Sequence, residues 1–323
     1  MNTANHSRVL AVVGATASGK TALSIALAQR LGGEVVSFDS MQVYRGMDIG
    51  TATPTAAEQA AAVHHLINIR EPWESYSCAD FVALARETIA DLALRGRLPV
   101  LCGGTGLYLD GLLCGGSYES APPSDPAVRE RLLLQAQTAG EQALWEELQR
   151  VDPESAAATH PNNVKRVVRA LEIYYVCHKT KTQLDRESRP GAMCYDATVI
   201  GLRYTDRALL YQRIDRRVEG MLREGLLDEV RALQTAGLFE CSPTAAQAIG
   251  YKELLGYLRG ECTLDDAVEQ LKQATRRYAK RQMTWFRGRQ YVRWIDADDG
   301  AGQVRPLDAI VQDALQLWKE GER

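Results

Sequence analysis

The 323-residue sequence has few features of a secreted or membrane protein. Its seven cysteines are odd in number and scattered, and no two of them form a CxxC pair. This pattern argues against a disulfide framework or a zinc site and for reduced thiols in a cytosol. No apolar run approaches about 18 residues, so we expect neither a membrane-spanning segment nor a membrane partner. The beginning, MNTANHSRVLAVVG, lacks the basic and apolar regions of a signal peptide, and we therefore expect a cytoplasmic protein.

An excess of charge of one sign is also missing over the chain as a whole. The 38 Lys and Arg residues and the 41 Asp and Glu residues leave a net charge of −3, which excludes a polycation of the histone kind. Hydrophobic residues at 46% and charged residues at 24% are ordinary for a globular protein and exclude disordered or collagen-like chains. One segment differs, because eight basic residues and no acidic one lie between Lys272 and Arg293. It predicts one face that suits a polyanionic partner.

The residues GATASGKT at 14–21 match the phosphate-loop pattern GxxxxGK[ST] in full. A short apolar run, VLAVV at 9–13, precedes them and a helical apolar pattern follows, which is the context of a phosphate-binding strand–loop–helix unit. Backbone N–H groups and the helix N-terminus bind anionic oxygens, while Lys20 adds a charge and the Thr21 hydroxyl can hold Mg²⁺. The pattern predicts a polyphosphate ligand. The residues expected to bind it are Gly14, Ala15, Thr16, Ala17, Ser18, Gly19, Lys20 and Thr21.

Strands and helices alternate over the first third of the chain. EVVSF at 34–38 and LPVLC at 98–102 are typical of buried strands, and HHLINI at 64–69 is a further candidate strand. A helical pattern covers 79–95, and another follows the glycine turn after Cys102. This alternation predicts an α/β fold whose core is a P-loop doubly wound parallel sheet.

The middle and the end of the chain are mainly helical. We predict a helical insertion domain at 119–196, which is expected to contact RNA, between two parts of the catalytic core at 1–118 and 197–323. YDATVIGLRY at 195–204 predicts a strand that returns to the sheet, and YVRWI at 291–295 predicts a last strand. The C-terminal region between these strands is predicted to be helical.

Asp39 follows the buried strand EVVSF, which lies beside the first strand in most doubly wound sheets, so it is expected to face the phosphate crevice. Three roles compete for it: helix N-cap, magnesium ligand and general base. Ser40 and Gln42 could supply hydrogen bonds beside it. Glycines follow LPVLC where a hydrolysing ATPase would place a carboxylate, and no NKxD motif exists, which disfavours a nucleotide-hydrolysing motor or switch.

Other candidates have two interpretations each. GGTGLY at 103–108 is either a strand-to-helix turn or a second phosphate-side loop in which Thr105 offers a hydroxyl. Arg213 flanks the apolar stripe of a helix and is either solvated or paired, or a catalytic residue. His64 and His65 are expected in a core or edge role rather than at a metal. The basic segment contains Tyr278, Trp285 and Phe286, which either pack inward or stack on RNA bases.

Six strings in order along the chain resemble bacterial tRNA dimethylallyltransferases. They are GATASGKT, DSMQVYRGMDIGTATP, GGTGLYLDGLL, HPNNVKRVVRALEIY, QAIGYKE and ATRRYAKRQMTWFRG, and the resemblance runs from Val9 to Trp294, over essentially the whole chain. One small departure is Ala15, where the family usually has proline. The zinc finger of the eukaryotic relatives is not expected from the cysteine spacing.

The resemblance implies the transfer of a dimethylallyl group from its diphosphate to N6 of the adenosine 3′ of the anticodon, in tRNAs that read codons starting with U. It implies that Asp39 is the base, that Arg213 binds the diphosphate, and that Lys20 and Thr21 with Mg²⁺ stabilise the leaving pyrophosphate. The protein is expected to be a monomer. Two alternatives stay open: a small-molecule P-loop kinase and a non-catalytic RNA-binding module.

The resemblance also implies a contact surface for the tRNA anticodon stem-loop, whose target base must turn out of its stack. The implied contact residues are Asp39, Ser40, Met41, Gln42, Thr105, Lys165, Arg166, Arg169, Gln247, Gly250, Lys252, Arg276, Arg277, Lys280 and Arg281.

Overall fold

The computed structural model describes residues 7–115, 124–187, 193–241 and 244–321. Within these ranges, no helix combines the length and the apolarity that crossing a bilayer requires. The described chain divides into two compact units, Met1–Leu113 with Met193–Arg323, and Cys114–Ala192.

The larger unit is built on a six-stranded sheet whose strand pairs are all parallel. Its strands are β1 (Arg8–Gly14), β2 (Gly33–Ser37), β3 (His64–His65), β4 (Leu98–Cys102), β5 (Asp196–Arg203) and β6 (Val292–Asp296). The order across the sheet is β3-β2-β4-β1-β5-β6. Val9 to Gly14 of β1 are all buried, as expected for a central strand covered on both faces. The α/β doubly wound fold predicted from the sequence is confirmed.

Two details of the predicted sheet are wrong. β2 does not lie beside β1, because β4 lies between them and its Val100 is paired with Leu10 on one side and Val35 on the other. The third strand, predicted over 64–69, ends at His65. Leu66 and Asn68 have φ angles of 61° and 51°, in the left-handed region that interrupts an extended strand.

Helices of the larger unit cover the sheet and form its C-terminal region. They are α1 (Lys20–Leu31), α2 (Ala56–Ala61), α3 (Cys78–Leu94), α4 (Gly106–Cys114), α10 (Arg207–Arg223), α11 (Leu226–Thr235), α12 (Leu238–Cys241), α13 (Tyr251–Leu258), α14 (Leu264–Arg287) and α15 (Leu307–Glu320). In the main core cluster, strand residues such as Leu10 and Ile200 pack with Ile214 of α10 and Met283 of α14. The helices α10 and α14, which also line the candidate site, are therefore anchored in the core of the sheet.

The smaller unit contains α5 (Pro126–Ala139), α6 (Glu141–Val151), α7 (Pro153–Ala157), α8 (Val164–Cys177) and α9 (Lys181–Glu187). It has its own apolar cluster, which includes Leu132, Leu148 and Leu171. α5 begins where the Asp125 side chain accepts hydrogen bonds from two backbone N–H groups and proline occupies the first turn. The predicted insertion boundary at 118/119 lies outside the described residues, so the predicted domain limits stay a prediction.

The longest helix, α14, is held at its start by a capping box between Thr263 and Asp266. Its buried face consists of apolar residues such as Leu271, Met283 and Phe286, with one polar exception, Gln282, which is 5% exposed. Buried amides need hydrogen-bond partners, so this exception points to a specific polar contact.

The close packing of the paired strands β5 and β6 leads to a prediction about stability. A Cβ at Gly201 would lie 2.6 Å from Cε3 of Trp294 and 2.7 Å from Cγ1 of Val292, both in β6. We expect Gly201→Ala to lower the free energy of unfolding by about 1–3 kcal/mol through overpacking. Urea unfolding followed by circular dichroism measures the change.

The matched control is Gly220→Ala on α10, where the added Cβ would meet nothing nearer than 3.9 Å. There the loss of glycine flexibility in a helix should stabilise the protein by about 0.5–1 kcal/mol. Equal stability of the Gly201→Ala variant and the wild type would contradict the packing argument.

Candidate active site

The loop between β1 and α1 has the backbone of an anion-binding site. Ala17 and Gly19 have φ angles of 62° and 98°, and left-handed residues of this kind turn successive N–H groups towards a common concavity. Gly14 cannot carry a side chain, because a Cβ there would lie 2.6 Å from the carbonyl oxygen of Leu202. The Lys20 ammonium donates a hydrogen bond to the Ala15 carbonyl at 2.7 Å, which keeps the charge over the loop.

Gln282 of α14 connects this loop to the turn after β4. Its Oε1 accepts a hydrogen bond from the Thr16 N–H at 2.8 Å, and its Nε2 donates to the Gly104 carbonyl at 3.1 Å. A Cβ at Gly104 would lie 2.0 Å from that Nε2, so the glycine is required by the close approach of the amide. The glycine-rich turn after β4 is thus a place where another group comes close to the backbone, and that group is the Gln282 side chain.

Asp39 lies in the loop after β2, and no helix begins there, so the helix N-cap role is wrong. Its Oδ1 instead accepts the Met41 N–H at 2.9 Å, in a turn closed by the side chain. Although β2 is not next to β1, the carboxyl ends of the parallel strands meet at one edge of the sheet, and Asp39 still reaches the cavity beside the phosphate loop. Burial raises its pKa, against the opposing effect of Lys20 and Arg217.

Lys20 has the opposite response to the same surroundings. Burial, assisted by the charge of Arg217, lowers the pKa of its ammonium to about 8, while Cys102 and Asp39 act in the other direction. A lysine with a pKa near neutrality in a cleft is a marker of a functional site. An anionic ligand beside it would favour the charged form.

Arginines of α10 face the loop from the other side. The Nε of Arg213 donates to the Ala17 carbonyl at 3.0 Å, rather than pairing with Asp215 or Glu219. Arg213, Arg216 and Arg217 line a groove of about 760 Å³ together with the phosphate loop from Ala17 to Ala22. The groove also has acidic residues on its wall, Glu58 and Glu224 among them.

Arg217 is a site residue that the sequence analysis missed. It lies one helical turn after Arg213, and burial lowers its pKa while Asp39 raises it. The i, i+4 spacing on one helix face was the available signal, since residues at that spacing project to the same side.

A second cavity of about 300 Å³ adjoins the groove. The two share the wall residues Lys20, Thr21, Ala52, Pro54, Arg217 and Met221. Asp39 and Cys102 are near the phosphate-loop end of the cavity, and apolar residues such as Val218 and Leu271 form other parts of its wall. Tyr278 of α14 also lines it and contacts Thr105, and burial raises the pKa of its hydroxyl, which therefore stays protonated.

The structure brings many of the sequence-derived RNA-contact candidates to this cavity. Besides Asp39, those that line it are Ser40, Met41, Gln42, Gln247, Gly250, Lys252 and Arg281. Thr105 is beside them, since its hydroxyl accepts the Ser40 N–H at 3.2 Å.

The remaining candidates lie elsewhere or have other partners. Arg277 and Lys280 are exposed on α14. Arg276 forms ion pairs with Asp215 at 2.7 Å and Glu269 at 2.6 Å, which neutralise its charge within the protein. In the smaller unit Lys165 and Arg166 are exposed at the start of α8, whereas Arg169 pairs with the buried Glu172, as does Arg129.

A metal would have to be held partly by the ligand. Among the described residues no group of three or more His, Cys, Asp or Glu side chains could hold a metal ion. Thr21 and Asp39 line one cavity, however, and Mg²⁺ is typically bound by one or two protein oxygens together with substrate phosphates and water. The residues present therefore fit a phosphate-bound Mg²⁺. His64 lines the same cavity, and His65 pairs with Glu34 at 2.7 Å in an edge-strand role.

Comparison with known proteins gives a consistent result. The chain matches the family model "IPP transferase" over residues 42–289 and "Isopentenyl transferase" over 7–69. It is 49% identical to the tRNA dimethylallyltransferase of Geobacillus thermodenitrificans over 292 residues, which are 90% of this chain and 91% of that one. It is 48% identical to the tRNA dimethylallyltransferase of Bacillus subtilis over 288 residues, 89% of this chain and 90% of the relative.

Solved structures agree with the sequences. The full-length tRNA isopentenylpyrophosphate transferase of Bacillus halodurans superposes with a TM-score of 0.69 at 43% identity, covering 98% of both chains. A eukaryotic dimethylallyltransferase acting on tRNA gives a TM-score of 0.74 at 31% identity, over 91% of this chain and 75% of that one. These similarities give no support to the kinase alternative.

The low pKa of Lys20 generates a prediction about anion binding. Since its ammonium loses a proton at about pH 8, affinity for an anion at the loop should fall as the pH rises through that value. We expect the affinity for inorganic pyrophosphate to drop by about tenfold between about pH 7 and pH 9. Isothermal titration calorimetry measures it.

The control is Lys20→Arg, because a guanidinium keeps its charge over this range. Its pyrophosphate affinity should change much less with pH. If the pyrophosphate affinity of the wild type and of Lys20→Arg fell equally with pH, the titrating group would not be Lys20.

Proposed function

Because this chain belongs to the tRNA dimethylallyltransferase family, we propose that it transfers a dimethylallyl group from dimethylallyl diphosphate to N6 of the adenosine 3′-adjacent to the anticodon in tRNAs reading UNN codons. The observation that carries this assignment is that Asp39 and the phosphate-loop residues Lys20 and Thr21 line one cavity. A base and an anion cradle are thus directed at the same space, which a prenyl transfer with a diphosphate leaving group needs.

The diphosphate binds between the phosphate loop and α10. The loop, Lys20, Arg213 and Arg217 line the groove, and Lys20 and Arg217 also line the cavity. As the bond from the prenyl carbon to oxygen breaks, charge develops on the leaving pyrophosphate. Fixed positive groups stabilise that charge more than they stabilise the intact substrate, which lowers the barrier.

Asp39 accepts the proton. The N6 lone pair is delocalised into the adenine ring, so the amino group is a weak nucleophile until it begins to lose a proton. As the carbon–nitrogen bond forms, one N6 proton passes to the carboxylate of Asp39 and pyrophosphate departs with the electrons of the carbon–oxygen bond. Burial raises the Asp39 pKa towards the working pH, and this makes the carboxylate a better base.

Mg²⁺ is the divalent ion that we assign to the reaction, with the Thr21 hydroxyl as its protein ligand. When bound, it would neutralise part of the diphosphate charge.

The nucleic acid approaches on the side of α14. The exposed Arg277 and Lys280 neutralise backbone phosphates, while Gln42, Gln247 and Arg281 on the cavity wall contact the extruded nucleotide. Lys165 and Arg166 add basic charge on the insertion. The protein acts as a monomer in this proposal.

The direct test of the reaction is release of pyrophosphate from dimethylallyl diphosphate that requires an unmodified tRNA with adenosine 3′ of its anticodon. Asp39→Asn should lower kcat by about 10²–10⁴, the usual contribution of a general base. Nucleoside mass analysis of the tRNA identifies the product.

Binding of tRNA and of inorganic pyrophosphate to the Asp39→Asn protein is the control and should be nearly unchanged. Near-normal turnover of this variant would remove Asp39 from the role of base. ADP formed from ATP and a small acceptor, without pyrophosphate release, would instead support a kinase.

The salt dependence of tRNA binding tests the basic face of α14. Replacing Arg277 and Lys280 together by alanine should weaken tRNA binding and reduce the slope of log K against log salt by about 0.7–0.9 for each phosphate that is no longer neutralised. Filter binding at several salt concentrations measures the slope.

Lys319→Ala on α15 is the matched control for removal of a basic residue and should leave the slope unchanged. Affinity for inorganic pyrophosphate should be the same in all three proteins. An unchanged slope after the double substitution would mean that these two residues of α14 do not bind phosphates of the tRNA.

A further inference from the structure

Glu229 of α11 binds the backbone of a distant loop with both of its carboxylate oxygens. Its Oε2 accepts the N–H groups of Asp48 and Ile49, and its Oε1 accepts that of Gly50, each at 2.9 Å. The Tyr251 hydroxyl of α13 donates to the same Oε1 at 2.7 Å. Four donors on one carboxylate make a fixed connection, since hydrogen bonds to an ionised acceptor are stronger than neutral ones.

The contact is tightly packed as well as hydrogen-bonded. Tyr251 is 0% exposed, and a Cβ at Gly50 would lie 2.5 Å from its ring. Burial raises the pKa of the Tyr251 hydroxyl, so it stays a donor. The loop is therefore pressed against α11 and α13 at Gly50 and has little freedom to shift there.

The same loop continues into the walls of the site. Thr51 lines the cavity, and Ala52 and Pro54 line both the cavity and the groove. Glu229 itself lines neither. Glu229 therefore reaches the walls through its hydrogen-bond partners: the loop, and Tyr251, whose neighbours Gly250 and Lys252 also line the cavity.

Hydrogen bonds continue from this loop to the backbone of Asp39. The Nε2 of Gln42 donates to the Ala52 carbonyl at 2.9 Å, and its Oε1 accepts the Ser37 hydroxyl at 2.9 Å. The Ser37 oxygen accepts the Asp39 N–H at 3.3 Å. A path of hydrogen bonds thus runs from Glu229 through the loop, Gln42 and Ser37 to the backbone of Asp39.

We propose that Glu229 is a positioning residue for the transfer reaction, acting through the loop Asp48–Pro54 and Gln42 on the placement of Asp39. This rests on the proposed function, because the step that it supports is proton removal by Asp39. Small displacements of a reacting group reduce rates strongly, so the connection controls kcat more than substrate affinity.

The test is a double-mutant cycle on kcat with Glu229→Gln and Gln42→Met, two nearly isosteric changes. The Glu229→Gln amide has one oxygen in place of two acceptors, and we expect it to lower kcat by about 10–100-fold. If the effect passes through Gln42, the double variant should be little slower than the slower single variant, since coupled residues are not additive. Affinity for inorganic pyrophosphate should not change.

Asp228→Asn is the matched control, because this carboxylate precedes Glu229 on α11, pairs with Arg231 and has a 79% exposed side chain. It should leave kcat unchanged. Multiplicative effects of the two substitutions, or normal kcat in Glu229→Gln, would overturn the proposal.

Hydrogen exchange of the backbone amides from Asp48 to Thr53 separates this proposal from the proposed function. Glu229→Gln should accelerate exchange there and Asp228→Asn should not. Unchanged exchange would overturn the positioning role whatever the reaction is. If the wild-type protein does not transfer the dimethylallyl group but Glu229→Gln still accelerates exchange, the proposed function and the catalytic part of this inference are overturned. The contact between Glu229 and the loop would then still stand.

Discussion

The buried amide of Gln282 holds together the three parts of the chain that make the site. It joins Thr16 in the phosphate loop to Gly104 in the turn after β4, and it comes from α14, the helix with the exposed basic face. A buried amide deprived of either partner would cost about 1–3 kcal/mol, so the arrangement is strongly preferred. The helix that we assign to RNA is therefore fixed directly to the loop that we assign to the diphosphate.

The charged groups of the site are buried in a way that disfavours their charged forms until an anionic ligand binds. Burial lowers the pKa of Lys20 and of Arg217 and raises that of Asp39, which means that the free site works against its own charged groups. A bound diphosphate favours the charged form of both cations, and the same groups then act at full strength on the leaving group. In the proposed reaction, the unfavourable electrostatics of the free site would therefore favour binding of the diphosphate and stabilise its leaving group.

Local signals in the sequence were enough to predict the strand–loop–helix unit at 8–31, the alternation of strands and helices, and the place of Asp39 beside the loop. These depend on residues within one element or one turn. The sequence could not show that β4 separates β1 from β2, because strand order is decided by packing between elements. It also could not single out Gln282, whose partners are 266 and 178 residues away, or Glu229, whose partners in the loop are 179 to 181 residues away. Leu66 and Asn68 are ordinary strand and loop residues by type, and only their left-handed backbone shows why β3 is short.

The groove and the cavity meet at six shared residues, and each also has wall residues of its own, such as Arg213 in the groove and Tyr278 in the cavity. For the reaction proposed here, the diphosphate occupies the groove and the RNA nucleotide occupies the cavity. Spent pyrophosphate can leave by the groove without passing the modified base, and a new donor can arrive while RNA still occupies the other side. Under this assignment, release of pyrophosphate and release of the modified RNA take place from different parts of the site.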